Sequence, residues 1–160
     1  MKALLLSVIA FIVVGCSSLD YTKVSPEKSD VARVVDVPGI DKAALYDRAS
    51  MWVASTFVSA QDVVQNKNKE AGRIMGRGIV TIYIAGGLTQ VPFNYRYAIR
   101  IDVKDNKARI QFNDYRHVQY QTQPEYAYLS TPIIAKMNAL AADFELSMKA
   151  EKEATADADW

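Results

Sequence analysis

A chain of 160 residues, half of them hydrophobic, is long enough for one domain with a single core and too short for two of ordinary size. Its 19 lysines and arginines stand against 18 aspartates and glutamates, so no overall charge steers it toward nucleic acid or another polyanion. A single cysteine, Cys16, leaves no intramolecular disulfide to form, and a single histidine, His117, leaves no His/Cys metal cluster. No metal or other cofactor is expected.

At the N-terminus, Lys2 precedes an apolar run from Ala3 to Val14 interrupted only by Ser7. That is the length of a secretion signal and short of the roughly 20 residues a membrane-spanning helix needs. The run ends in Val13-Val14-Gly15-Cys16, which resembles the lipobox of bacterial lipoproteins. Gly15 and Cys16 match it, whereas Val13 replaces the usual leucine and Val14 the usual small residue. The resemblance implies removal of residues 1–15 and lipidation of Cys16. A diacyl thioether with an N-acyl chain exceeds the two-chain threshold for stable anchoring. Ser17, not being aspartate, implies by resemblance to lipoprotein sorting rules an outer-membrane location facing the periplasm.

From Ser17 to Asp30 the chain is polar, holds Pro26 and shows no apolar period, which predicts a tether lifting one domain, residues 31–148, off the membrane. Val31 to Val37 predicts a first strand, broken by Pro38-Gly39. Asp41 caps a helix over about 41–59 whose buried stripe is Leu45, Ala49, Trp52, Val53 and Phe57. A short strand over Asp62 to Gln65 and a turn over Asn66 to Gly72 follow, and Arg73 to Ile84 then alternates at period two. Gly86-Gly87 signals a hairpin into Phe93, Tyr95, Tyr97, Ile99, Ile101 and Val103, and Asp105-Asn106 turns the chain into Ala108, Ile110 and Phe112. The last helix is predicted to start near Ser130 or Pro132, burying Ile133, Met137, Leu140, Ala141, Phe144 and Met148. Lys149 to Trp160 reads as a charged tail, residues 149–160.

Strand, helix, four strands, helix makes an α+β domain with a five-stranded antiparallel sheet and both helices on one face. Several segments carry a further resemblance: Val37-Pro38-Gly39, then Leu45-Tyr46-Asp47-Arg48-Ala49 with Trp52-Val53, then Asp62-Val63-Val64, Asn68-Lys69-Glu70-Ala71-Gly72-Arg73-Ile74 and Gly76-Arg77-Gly78. Over residues 31–118 the chain resembles a family of bacterial lipoprotein domains of unknown function with a TATA-binding-protein-like (TBP-like) fold. Asn68 stands where that family commonly has aspartate. The resemblance implies fold and anchoring and supplies no catalytic residues.

Little in the sequence points to catalysis. His117, at a strand end, reads as a surface polar residue, and alternation puts Asp114 on the opposite sheet face from it. Ser17, Ser18 and Ser130 sit in no strand-turn-helix elbow, and no helix follows Gly76, Gly78, Gly86 and Gly87 to present a phosphate site. A two-residue turn at Gly86-Gly87 would place Gly78 opposite Tyr95 and Gly76 opposite Tyr97, rings crossing glycines.

On the other face the same register puts Arg77 opposite Arg96 and Arg73 opposite Arg100, with Arg109 opposite Asp102, Gln111 opposite Arg100 and Tyr115 opposite Arg96. Only Arg109 then gains an acidic partner. Arg73, Arg77, Arg96, Arg100, Arg109 and Tyr115 are therefore the candidate anion-binding or partner-binding face, set against the plainer reading of a solvated surface. The expected function is a lipid-anchored cell-envelope protein acting as a noncatalytic binding or scaffolding module. Its partners would be the membrane, through the lipid on Cys16, and an envelope protein, lipid headgroup or cell-wall ligand, with no role for nucleic acid. An envelope hydrolase is the alternative.

Overall fold

The computed structural model of the chain describes residues 19–57, 63–86 and 89–150. Gly15, Cys16 and residues 151–160 of the charged tail lie outside them, as do Asp62 and Gly87, while Lys149 ends the last helix. Five strands, β1 (Val31–Asp36), β2 (Val64–Asn68), β3 (Arg73–Gly86), β4 (Thr89–Lys104) and β5 (Lys107–His117), form one antiparallel sheet in the order β1-β5-β4-β3-β2. Helices α1 (Lys42–Thr56) and α2 (Ala127–Lys149) cover one face of it. The strand order along the chain and the shared face of the helices agree with the sequence reading.

Local chemistry explains the element ends. The Asp41 carboxylate accepts from the Ala44 amide at 2.7 Å, satisfying one of the free donors of the first turn of α1. The Pro38-Gly39 bend is tied across the molecule to the β4–β5 turn, where the Asn106 side-chain oxygen accepts from the Gly39 amide at 2.7 Å and Asp105 from that of Lys42 at 2.8 Å. Gly39 has φ +81°, a left-handed conformation that suits glycine. Strand β2 runs three residues further than the sequence predicts, to Asn68, whose side chain closes a tighter turn by accepting from the Ala71 amide. That turn ends at Gly72, with φ +63°, where any side chain would collide with the Val103 carbonyl.

Between sheet and helices lies one core. Leu45, Ala49, Trp52 and Val53 of α1 and Ile133, Met137, Ala141, Phe144 and Met148 of α2 are buried against the inward residues of β3, β4 and β5. Leu140 is only half-buried. Trp52 is 3% exposed, its indole N–H donates to Asp143 at 2.7 Å, and its ring meets Phe144 edge-on at 5.2 Å, which clamps the helices together.

Two expectations are corrected here. Residues 19–30 are not a free tether: Leu19 packs against the core, Lys23 bridges Tyr126, and Pro26–Ser29 forms a 3-10 turn with Ser29 buried. The same segment explains why α2 begins at Ala127 rather than at Ser130 or Pro132. The Ala127 amide donates to the Thr22 carbonyl at 2.9 Å and the Tyr128 amide to the Asp20 carbonyl at 3.0 Å. Donors that would otherwise need a side-chain cap are satisfied by a strand-like segment more than a hundred residues away in sequence. No local signal announces such a partner.

Candidate binding face

Pairing of β3 with β4 differs by two residues from the register expected of a turn at Gly86-Gly87. Gly86 itself pairs with Thr89, which sets Gly78 opposite Tyr97, Gly76 opposite Ile99 and Arg73 opposite Asp102. An even shift changes partners and leaves every side chain on its predicted face. The ring-over-glycine contact survives at one position: the Tyr97 ring occupies the space where a Gly78 side chain would stand. Gly76 has another reason to be glycine, since the Val63 carbonyl fills its side-chain space. Burial pushes the phenols of Tyr95 and Tyr97 up to about 12, as expected of core tyrosines.

The new register gives the helix-free face a different charge pattern. Asp102 lies in one row between Arg73 on β3 and Arg109 on β5. Its carboxylate accepts from Arg73 Nε at 2.7 Å, Arg109 Nη2 at 2.7 Å and Arg100 Nε at 2.8 Å. Burial alone would raise this carboxyl. The hydrogen bonds from Arg109, Arg100 and Arg73 outweigh it and hold the group at about 2. The expectation that only Arg109 has an acidic partner is thus corrected: three guanidiniums share one carboxylate, which leaves this end of the face with a local charge of about +2. A groove of about 410 Å³ beside it is lined by Arg73, Asp102, Lys104, Lys107 and Arg109.

The other end is built differently. Between Arg96 and Ala98 the β4–β5 pairing slips by one residue, so Asp114 and Tyr115 together oppose Tyr97. Asp114 takes the strain, with φ 52°. Beyond this bulge odd-numbered residues point to the core, where even-numbered ones did before it. Tyr115 is therefore 3% exposed, donates its hydroxyl to the Phe112 carbonyl at 3.2 Å and has its pKa driven up by burial. The expected aromatic contribution of Tyr115 to the outer face is contradicted.

In its place opposite Arg96 stands Arg116, a residue strict alternation overlooks. Arg116 pairs with Asp114 at 3.1 Å. Arg77, opposite Ala98, and Arg96, opposite Ile79 on one side and Arg116 on the other, make no side-chain hydrogen bond or ion pair with the described residues. Both line an open groove of about 500 Å³ with Gln65 and Ile79, and a narrow recess of about 130 Å³ with Arg116 and Gln121. Ile79 is 60% and Tyr83 58% exposed on the same face.

His117 follows the bulge inward and is buried, which corrects its reading as a surface residue. It stacks on Tyr120 at 4.8 Å, and its Nδ1 accepts from the amides of Gln119 and Tyr120, both at 3.2 Å. Through these two contacts the histidine organises the loop that leaves β5. Ser130 is buried as well. Among the described residues no group of three or more His, Cys, Asp or Glu side chains could hold a metal ion, and no helix is long and apolar enough to cross a membrane.

No curated protein matches this sequence. Two solved structures share the fold: a DUF4468 family protein from Bacteroides ovatus, at TM-score 0.63 and 15% identity over 78% of this chain and 88% of that one, and a TBP-like protein from Parabacteroides distasonis, at TM-score 0.60 and 15% identity over 76% and 94%. At that identity the likeness speaks for the fold alone. Residues 32–118, from β1 through the loop after β5, match the model of the family described as a domain of unknown function (DUF4468) with TBP-like fold, and the chain belongs to that family.

Proposed function

We propose that this protein is a lipid-anchored component of the cell envelope, held through Cys16 at the outer membrane, whose helix-free sheet face binds an acidic protein partner without catalysing a reaction. The observation carrying the binding half is the charge pattern of that face. Arg73, Arg77, Arg96, Arg100, Arg109 and Arg116 stand on three adjacent strands against Asp102 and Asp114. Like charges this close destabilise a sheet unless something neutralises them. At one end Asp102 bonds all three guanidiniums without cancelling their charge; at the other Asp114 pairs with Arg116 alone, and Arg77 and Arg96 are left for a ligand.

Breadth favours a protein. The arginines are spread over an open face with Ile79 and Tyr83 exposed between and beside them, and arginine and tyrosine are the residues on which protein interfaces concentrate their binding energy. The anchor half rests on the apolar run ending in Gly15-Cys16.

Two measurements test the halves separately. Cys16→Ala should abolish labelling by a fatty-acid probe and release the domain from membranes; persistent attachment would contradict the anchor. For the face, material co-purified from envelopes by wild-type protein should be lost to the double variant Arg77→Gln/Arg96→Gln and to high salt. Equal recovery by a folded double variant would make the patch ordinary surface.

A further inference from the structure

Residues 19–24 are docked on the domain rather than leading freely away from it. We infer that the end of the domain formed by residues 19–24 and the start of α2 sits directly on the lipid headgroups, seated by tyrosine rings. This inference rests on the anchor at Cys16 proposed above. Leu19 is already packed against the core, and Asp20, Thr22 and Val24 are each hydrogen-bonded through the backbone to the segment Glu125 to Tyr128. Between Cys16 and Leu19 the chain can extend at most about 11 Å. The headgroup layer of one leaflet takes up about 5–7 Å of that. What is left accommodates one or two layers of water, so the domain cannot stand clear of the surface.

The side chains at this end suit such a seat. Tyr21 is 64% exposed and packs against Tyr128 at 5.0 Å and Tyr126 at 6.3 Å, while Tyr126 and Tyr128 stack at 5.9 Å. Tyr120, 65% exposed, lies on the loop joining β5 to α2. Tyrosine belongs at the headgroup level because its ring is apolar and its hydroxyl is not. The exposed charges nearby, Asp20, Lys23 and Glu125, are mixed in sign, so no basic patch is available for anionic lipid. The seat fits a zwitterionic surface and is insensitive to salt. It also carries the β4–β5 turn, at the opposite end of the sheet, out toward the aqueous compartment.

Cys16 is the only cysteine, so in the acylated protein a second one can be labelled uniquely. The acylated full chain, carrying Tyr21→Cys, Tyr120→Cys or Lys104→Cys with a fluorophore, is placed in phosphatidylcholine vesicles containing a headgroup-linked quencher. Lys104 lies nine residues along β4 from Tyr95, about 30 Å away, so quenching at 21 and 120 should exceed that at 104 by about fivefold or more, equally in low and high salt. Similar quenching at all three positions in protein that floats with the vesicles would overturn the seating and leave the anchor standing. Protein that acquires no acyl group and does not float would overturn the anchor reading, and the seating with it.

Discussion

The two faces of the sheet obey different rules. Under the helices, side chains alternate cleanly from Ile74 to Ile84 and from Tyr95 to Val103, and nearly all are buried in one apolar cluster. On the open face the same strands carry arginines whose spacing is set by pairing register and by one bulge. A polar substitution on the covered face forfeits apolar burial worth roughly 25 cal/mol per Å². The open face places like charges together and is stable only as far as Asp102 and Asp114 compensate them. One face holds the fold, then, and the other is free to be specific.

Substitutions should separate the two in order of cost. Trp52→Ala removes the ring that clamps α1 to α2 and should destabilise by about 3–5 kcal/mol in a denaturant melt. A change within error would mean that the helices are held by something other than that contact. Asp102→Asn comes next. It leaves Arg73, Arg100 and Arg109 facing one another across three strands, and a loss of about 2 kcal/mol is expected near neutral pH, tempered by the partial exposure of the group.

The pH dependence of that loss has a definite sign. Asp102 is held at about 2 in the folded protein against an ordinary 3.8, so its contribution is complete above about pH 4 and disappears as pH falls toward 2. Wild-type stability should fall across that window more steeply than that of Asp102→Asn, as followed by melts between pH 2 and 5. Parallel curves would place the triad among solvated surface pairs. The smallest effect is expected of Arg77→Gln/Arg96→Gln: a stability change within about 0.5 kcal/mol or a slight gain, because neither side chain has a partner to lose among the described residues.

How far the sequence could be read depended on how local the cause was. Period-two alternation identified the covered face, and because a two-residue slip preserves parity, even a wrong register kept Arg73, Arg77, Arg96 and Arg100 on the right side. The bulge at Asp114 and Tyr115 was illegible. Aspartate tolerates φ 52° without being a strong signal for it, and the inserted residue exchanges Tyr115 for Arg116 on the open face. The docking of residues 19–30 was equally hidden: a polar stretch with one proline is what a linker looks like, and the backbone hydrogen bonds that hold it depend on α2. His117 turns inward for the same reason as Tyr115, since both lie beyond the bulge.

The central claim, that the arginine face and not the helix layer is the binding surface, is tested most directly by a photo-crosslinking residue placed at Ile79 on the open face and, in a separate protein, at Asn138 on the exposed side of α2. In native membranes at low salt, position 79 should yield a discrete adduct with an acidic protein, and that adduct should vanish in the Arg77→Gln/Arg96→Gln background while position 138 yields none. An adduct from position 138 alone, or one from position 79 that survives loss of both arginines, would contradict the account.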